Sequence, residues 1–426
     1  MNNTQISYPS VKCIHHEFVS KAMIYSQKLA VELDEQSLTY CELLYYVQVL
    51  SLTLLNEYRV NVGDIICQCV ERSISMVIGI MAIEMVGGVY CPLSPRDPKD
   101  RLYKLVEQTQ SHLILAHWLT IEKIHDGNIV VNVDSILSNN DIQNNIDFDQ
   151  LSNVVVTPDN IAYIICTSGS TGIPKAVQIR HRNIAHFICS LMRNGMKKKS
   201  DITLQMARCS FDAHLEDIFA AFTTGSGLVM LHPGGILHFP YLANVMKEKE
   251  ISFVATVPSW LRSFFSYLQE MSAQNSVKHL RYIGCAGEPF TLTLMHLLVS
   301  IAQHTIELWN LYGPTEVTVG STVHRIHQGT ASENVPIGRP FPNYSHIILD
   351  EYLQSVLINQ EGELLVGGVG VFAGYLGRND LTSKAVIYID DMLFYRTGDL
   401  VKIDQNNLVQ YQRKKRFSNQ TTWTKN

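Results

Sequence analysis

The sequence has few charged residues and no paired cysteine motif. Charged side chains make up 17% of its 426 residues, and 34 Lys plus Arg against 39 Asp plus Glu give a formal net charge of −5. Nucleic-acid binding needs a broad positive surface, and the one dense basic run here is Arg413-Lys414-Lys415-Arg416. The nine cysteines include no Cys-x-x-Cys pair, which argues against structural zinc and a disulfide framework. We therefore predict no nucleic-acid partner.

Long apolar segments are also lacking. The longest apolar stretch, residues 74–83, stops at Glu84, well short of the roughly 20 residues that cross a bilayer. The N-terminus, residues 1–5, is polar and has no basic start followed by an apolar core, so it does not resemble a secretory signal. We predict a cytoplasmic protein without a membrane partner.

The order of apolar patterns predicts an α/β fold. Helical spacing over residues 241–250 leads into a β-branched run at 251–257, and a second unit follows with a strand at 281–285, a helix at 290–304 and a strand at 305–309. Such alternation is typical of mostly parallel sheets covered by helices. Two polar stretches, residues 138–149 and 197–201, are predicted to be surface loops.

A loop of glycines and hydroxyls is the strongest local motif. Residues 163–175 read Tyr-Ile-Ile-Cys-Thr-Ser-Gly-Ser-Thr-Gly-Ile-Pro-Lys, a buried strand that opens into the loop and ends in a lysine. Glycine lets the backbone approach an anion, while hydroxyls, amides and lysine bind phosphate oxygens. The Walker spacing is not met. Taken alone, the loop is either another kind of phosphate cradle or a mobile turn.

Together with six further blocks, this loop resembles the signature of the adenylate-forming superfamily of acyl-CoA synthetases, luciferases and nonribosomal peptide synthetase adenylation domains. The blocks follow the order of that family, at residues 38–43, 85–93, 211–213, 310–316, 362–376 and 395–400. The resemblance implies the large N-terminal part of the adenylate-forming fold, with helix-covered, mostly parallel sheets and a smaller β subdomain. It implies an adenylation domain over residues 1–400 and a stub of the hinge and C-terminal subdomain over 401–426.

The resemblance also implies a nucleotide site for ATP and Mg²⁺. Lys175, Thr315 and Glu316 would be catalytic, with Thr315 at the α-phosphate and Glu316 as the magnesium ligand. Tyr312 would lie against adenine. The nucleotide-binding set implied by the family comprises Thr167, Ser168, Gly169, Ser170, Thr171, Gly172, Lys175, Gly287, Glu288, Asn310, Tyr312, Thr315, Asp399 and Arg413. The alternatives are an ordinary helix carboxylate for Glu316, a core aromatic for Tyr312 and a turn residue for Asp399.

Phe211-Asp212 favours the branch that activates amino acids, because its members pair an aspartate here with the substrate ammonium group. The alternative is that Asp212 caps the following helix. The implied substrate pocket consists of Asp212, Ala213, Glu216, Ala255, Gly284, Ala286, Leu311, Val319 and Gly320. Small residues predominate, so we expect a roomy pocket. Glu216 could meet a basic side chain such as that of ornithine or lysine, and the alternative is a solvated helix face.

The resemblance breaks after Asp399. Arg413 matches the ribose-side arginine of the family's hinge block, but Gln412 and Lys415 replace its glycine and aspartate, and the match disappears past Phe417. The catalytic lysine of the C-terminal subdomain therefore has no counterpart. We predict an ATP-dependent ligase that forms an aminoacyl-adenylate weakly or incompletely, with the phosphopantetheine of a peptidyl carrier domain as thiol acceptor in a full enzyme. The alternatives are an impaired nucleotide- or amino-acid-binding module and an acyl-CoA synthetase-like ligase of a fatty or aromatic acid.

Overall fold

The computed structural model describes residues 12–124, 128–138, 147–167, 174–302, 306–327 and 335–415. The α-helices formed by these residues are α1 Ile14–Ile24, α2 Tyr40–Asn56, α3 Ile74–Met85, α4 Lys99–Thr109, α5 Val133–Leu137, α6 His181–Arg193, α7 Ala213–Thr224, α8 Phe239–Glu248, α9 Pro258–Glu270, α10 Leu292–Ala302 and α11 Asn379–Ala385.

The strands of these residues fall into three sheets. In chain order they are β1 Leu29–Leu33, β2 Gln36–Thr39, β3 Ile65–Cys69, β4 Val89–Pro92, β5 Leu113–Ala116, β6 Ile129–Asn132, β7 Ile161–Thr167, β8 Lys175–Arg180, β9 Ile202–Leu204, β10 Gly227–Met230, β11 Phe253–Thr256, β12 Tyr282–Cys285, β13 Glu307–Tyr312, β14 Thr322–Ile326, β15 Arg339–Pro340, β16 Tyr344–Leu349, β17 Gly362–Gly368, β18 Gly374–Tyr375, β19 Val386–Ile389, β20 Met392–Ile403 and β21 Val409–Lys414.

The first sheet has the order β18-β8-β7-β4-β3-β5-β6. Its strands from β7 to β6 pair in parallel, and β8 and β18 add an antiparallel edge. The helix α3 covers this part of the fold, and all but one of its residues are buried. The helix α2, which packs on α3, begins with a capping box in which Thr39 and Glu42 bond each other's backbone N–H groups.

The second sheet has the order β15-β14-β13-β12-β11-β9-β10-β1-β2. Its central strands are parallel, and the neighbours β11, β12 and β13 are joined by α9 and α10. The predicted alternation of helix and strand is therefore confirmed, with the first helix observed at Phe239–Glu248 and its strand at Phe253–Thr256. The apolar faces of α8, α9 and α10 form a core of their own on this sheet.

A smaller antiparallel sheet completes the fold. Its order is β16-β17-β20-β19, with β21 paired to β20, as the expected β subdomain requires. The strand β20 continues from Met392 to Ile403, across the predicted boundary at residue 400. In the described ranges, we find no helix with the length and apolar character needed to cross a membrane.

One polar stretch differs in part from its prediction. The run at residues 197–201 is a turn whose middle residues 198–200 are exposed as predicted, but Lys197 and Asp201 at its ends are each only 2% exposed. Lys197 donates a hydrogen bond to Thr203 Oγ1 and lies with its Nζ 4.2 Å from the centre of the Phe253 ring. Asp201 pairs with Arg281 at 2.8 Å. Phe253 and Arg281 are distant in sequence, so local composition carried no sign of the burial.

Candidate active site

The candidate site lies where β7 and β13 end. In α/β sheets, ligands bind at the carboxyl ends of parallel strands. The strand β7 ends at Thr167, whose Oγ1 donates to the carbonyl of Lys175 at 3.4 Å as β8 begins. The predicted loop residues between these two, Ser168, Gly169, Ser170, Thr171 and Gly172, lie outside the described residues. Both ends of the loop nevertheless open at one edge of the sheet.

Lys175 and Glu316 meet at a tyrosine that the sequence analysis did not single out. Tyr375, on β18, donates a hydrogen bond from its hydroxyl to Glu316 Oε1 at 2.7 Å. The ammonium of Lys175 lies 5.0 Å from the centre of the same ring, a cation–π distance. Burial and the charge of Glu316 raise the pKa of the Tyr375 hydroxyl, which keeps it a donor. Tyr375 lies within the matched block at residues 362–376, but only the pairing register of β18 with β8 places it beside Lys175.

A strained turn follows β13. It lies between the expected nucleotide-binding residues and the expected substrate pocket. Thr318 and Val319 have φ angles of 65° and 62°, in the left-handed region that β-branched residues avoid. The two ends of the turn lie close together: a methyl group on Gly313 would be only 2.6 Å from the Cα of Gly320. The hydroxyl of Thr318 donates to the Gly370 carbonyl at 2.7 Å and fixes the turn.

Asp212 is buried against this turn. Its Oδ2 accepts the N–H of Val319 at 3.0 Å, and its side chain makes no capping bond to α7, so the helix-cap alternative is wrong. Burial raises the pKa of Asp212 to about 6, and the charge of Glu316 adds to this, while the bonds from Val319 and Thr315 oppose it. A buried carboxylate whose pKa is raised in this way is stabilised by a cation.

Glu216 is 4% exposed, so the alternative of a solvated helix face is wrong. Burial and the charges of Asp217 and Asp212 raise the pKa of Glu216 well above its ordinary value, and Lys197 lowers it in part. Burial in turn lowers the pKa of Lys197 to about 8. Among the described residues, none donates a hydrogen bond to the Glu216 carboxylate. The buried Glu216 carboxylate therefore has no close hydrogen-bond donor in the described part of the chain.

The small residues of the expected pocket are covered by aromatic rings. Gly284 pairs with Ala255 across β12 and β11, and a methyl group on Gly284 would lie 2.8 Å from the Tyr282 hydroxyl. Similarly, a methyl group on Gly320 would meet the Phe187 ring at 3.1 Å. Aromatic side chains thus occupy the space beside these two glycines, and the expectation of a roomy pocket stays a prediction. The other predicted lining residues lie on the same elements, Ala213 at the start of α7, Ala286 after β12 and Leu311 on β13.

On the expected ribose side, Asp399 is held from two directions. Its Oδ2 accepts the hydroxyl of Tyr312 at 2.5 Å, and its Oδ1 lies 3.1 Å from the ammonium of Lys414. Asp399 is buried within β20, so the turn alternative is wrong. Asn310 donates from Nδ2 to the Pro336 carbonyl at 2.9 Å.

Two of three further predicted residues, Glu288 and Arg413, pair with other residues in this structure. Gly287 has a φ of 83°, which requires glycine there. The carboxylate of Glu288 accepts the N–H and hydroxyl of Ser259, at 2.9 and 2.8 Å, in the first turn of α9. Arg413 pairs with Glu361 at 2.6 Å, so Lys414 rather than Arg413 reaches Asp399. Their nucleotide roles stay predictions.

The residues present fit a nucleotide with its metal ion. Lys175 offers a positive charge for phosphate, Glu316 offers a hard oxygen of the kind Mg²⁺ prefers, and Asp399 offers two acceptor oxygens for vicinal hydroxyls. Lys175 and Glu316 both contact Tyr375, and Asp399 accepts a hydrogen bond from Tyr312, which lies four residues before Glu316 at the end of β13. Asp212 provides a separate negative site on the other side of the turn after β13.

Comparison with known proteins agrees with this geometry. The family model described as AMP-binding enzyme matches residues 18–376. Zwittermicin A synthase ZmaJ of Bacillus cereus is 31% identical over 411 residues, which cover 94% of this chain and 76% of that protein. Bacitracin synthase 1 of Bacillus licheniformis is 32% identical over 407 residues, which cover 94% of this chain but only 7% of that synthase. This chain therefore spans a small fraction of the larger synthases that it matches.

A solved structure agrees in fold. The Klebsiella oxytoca NpsA N-terminal subdomain in complex with anthranilyl-AMSN superposes with a TM-score of 0.81 at 25% identity, and covers 95% of this chain and 100% of that one. The predicted fold class is thereby confirmed as the N-terminal subdomain of an adenylation domain. On the family match and the shared fold together, this chain belongs to the AMP-binding enzyme family.

Proposed function

We propose that this chain activates an amino acid with ATP, as the larger part of a nonribosomal peptide synthetase adenylation domain. One carboxylate oxygen of the amino acid forms a bond to the α-phosphorus of ATP, and the bond from that phosphorus to the bridging oxygen breaks. The products are an aminoacyl-adenylate and pyrophosphate, and no proton has to be transferred. The observation that carries the proposal is the buried Asp212, held by Val319 N–H at the turn that bears Thr315 and Glu316.

The residues would act mainly by positioning and by neutralising charge. Asp212 would bind the ammonium group of the substrate and fix where its carboxylate lies. Lys175 would hold the departing phosphates, and Thr315 would donate to the α-phosphate. Mg²⁺ held at Glu316 would supply further neutralisation of the phosphate oxygens. Tyr375 keeps the Glu316 carboxylate oriented through its 2.7 Å hydrogen bond.

On the other side of the nucleotide, Asp399 would accept the ribose hydroxyls while Tyr312 packs against the base. Both Asp399 oxygens already have donors, Tyr312 and Lys414. A bound ribose would therefore share or replace the bond from Lys414, whose side chain is the more exposed of the two. Asn310 would approach the amino edge of adenine, and Gly287 and Glu288 would border the pocket.

The substrate that we propose is an amino acid with a basic side chain. Glu216 lies one helical turn beyond Asp212 and is buried, and none of the described residues donates a hydrogen bond to its carboxylate, so a cationic side-chain end would neutralise it. Burial and the charge of Glu216 raise the pKa of the Tyr282 hydroxyl. Tyr282 would form the wall of the substrate pocket beside Glu216. A neutral side chain would leave the buried acid uncompensated, a cost of about 1–3 kcal/mol.

A later step is proposed for a longer polypeptide. The aminoacyl group would pass to the phosphopantetheine thiol of a peptidyl carrier domain, forming a thioester and releasing AMP. The family's C-terminal subdomain takes part in this step and supplies a catalytic lysine, which has no counterpart among residues 401–426. We therefore expect weak adenylation from this chain alone, since one cation is missing from a charged transition state.

Amino-acid-dependent ATP–pyrophosphate exchange tests these proposals. Lysine and ornithine should support exchange better than norleucine and leucine, and Glu216→Gln should remove most of that preference. Exchange with fatty or aromatic acids only would overturn the amino-acid assignment. Nucleotide binding without exchange, both in this chain and in the longer reading frame that contains it, would instead favour a binding module. A preference for neutral amino acids that Glu216→Gln leaves unchanged would refute the basic side chain alone.

A further inference from the structure

A cluster of two histidines and a glutamate lies in the core, apart from the residues used above. His15 belongs to α1, Glu84 to α3, and His181 is the first residue of α6. They are 4%, 0% and 0% exposed. Glu84 is the one ionisable side chain of α3, which is otherwise an apolar helix. The cluster thus joins three helices at a point where apolar packing would be expected.

Four polar atoms of this cluster have no hydrogen-bond partner among the described residues. Nδ1 of His15, Nε2 of His181 and both carboxylate oxygens of Glu84 are buried without one. Each unpaired buried polar group destabilises the fold, and an unpaired carboxylate does so more strongly. Two neutral rings cannot compensate a buried carboxylate. Some further group has to satisfy these atoms or a proton has to neutralise the acid.

The distances fit the edges of a metal coordination shell. One potential ligand atom from each residue lies within 4.8 Å of the others, and His181 Nε2 is 3.5 Å from Glu84 Oε2 without forming a hydrogen bond. Two ligands of a tetrahedral zinc ion at about 2.0–2.1 Å are separated by roughly 3.3 Å. Small shifts of the side chains would therefore bring all three onto one ion.

We propose that His15, Glu84 and His181 form a structural binding site for a zinc ion. Two imidazole nitrogens and one carboxylate oxygen are ligands that suit Zn²⁺. The ion would neutralise the buried acid and satisfy the unpaired nitrogens in a single step. By joining α1 to α3 and α6, it would fasten the N-terminal helix to the body of the domain.

Binding would change one existing contact. The N–H of Ile14 now donates to Nδ1 of His181 at 3.4 Å, which leaves the proton of a neutral ring on Nε2. Coordination through Nε2 moves that proton to Nδ1 and gives up the bond from Ile14. The bond is long for its kind, and Ile14 begins a helix, where backbone N–H groups are commonly left to other partners. This loss is small beside the gain from pairing the acid.

Metal analysis of the whole chain tests the proposal. The protein is produced with zinc or cobalt supplied, desalted without chelator, and its metal content measured by mass spectrometry. We expect about one ion per chain in the unmodified protein and in the control His16→Gln, whose ring is exposed beside the cluster, and a large loss in Glu84→Gln and His181→Ala. The cobalt form should show the visible absorption of a tetrahedral N/O site.

Thermal stability provides a second readout that does not depend on retention of the metal through purification. With chelator present, Glu84→Leu should unfold at a higher temperature than the unmodified chain, because it removes an unpaired acid. With zinc present, the order should reverse. Absence of metal from the unmodified chain together with no reversal would overturn the proposal in favour of a protonated Glu84 beside His181. Equal metal retention by Glu84→Gln and His181→Ala would overturn it as well.

Discussion

Asp212→Asn should stabilise the unliganded chain while it abolishes the proposed activity. The carboxylate is buried with a pKa of about 6, so at neutral pH the fold keeps a charge that its surroundings disfavour. The substitution removes that charge and leaves an amide oxygen that can still accept the Val319 N–H. The unfavourable group would be retained for the cation that it binds.

The size of the effect follows from the pKa difference. The ordinary value is 3.8 and the folded value about 6, and each unit corresponds to about 1.4 kcal/mol, so the ionised acid costs about 3 kcal/mol above pH 6. Because the folded state binds the proton more tightly, the stability of the unmodified chain falls as pH rises from about 4 to 6 and then levels. The advantage of Asp212→Asn should therefore be about half as large at pH 5 as at pH 8.

Calorimetry or fluorescence-monitored melting at the two pH values measures this difference. For a chain of 426 residues, about 3 kcal/mol corresponds to roughly 3 °C in melting temperature. Glu35→Gln, at an exposed carboxylate, provides the control and should shift neither value. A melting difference that is the same at pH 5 and pH 8, or a less stable Asp212→Asn at both, would refute the reasoning. Loss of exchange activity in the stabilised variant is expected in parallel.

Three further substitutions test the candidate nucleotide site and the turn after β13. Tyr375→Phe removes the donor to Glu316 and should raise several-fold the Mg²⁺ concentration needed for nucleotide binding, measured by titration; an unchanged requirement would contradict the orienting role. Asp399→Asn should weaken nucleotide binding about tenfold or more, since a hydrogen bond to a charged group is worth about 1.5–3 kcal/mol; equal affinity for ATP in calorimetry would contradict it. Gly313→Ala should destabilise the chain by several degrees because its methyl group meets backbone at 2.6 Å, whereas Gly227→Ala, whose nearest atoms are 3.9 Å away, should be close to neutral in the same melting assay.

The sequence predicted the alternation of helices and parallel strands because buried strands and amphipathic helices have local periodicities. The matched blocks at the start of α7 and at the end of β13 also indicated two segments that meet, through the bond from Val319 N–H to Asp212. Prediction from the sequence failed where a role depends on partners distant along the chain. Lys197 belongs to a run with the composition of a surface loop, yet it is buried against the ring of Phe253, which is distant along the chain. Tyr375 likewise gained its role from strand register rather than from any local pattern.

The turn after β13 links the two proposed binding sites through backbone geometry. Left-handed φ angles at Thr318 and Val319 cost of order 1–3 kcal/mol each, and the close approach of Gly313 to Gly320 leaves the turn no room to relax. The same conformation aims Val319 N–H at Asp212 and holds Glu316 three residues away. The main chain of this turn thus helps to set the separation between the proposed ammonium site and the proposed metal ligand. The amino acid's carboxylate would then meet the α-phosphorus at a distance that this turn helps to determine.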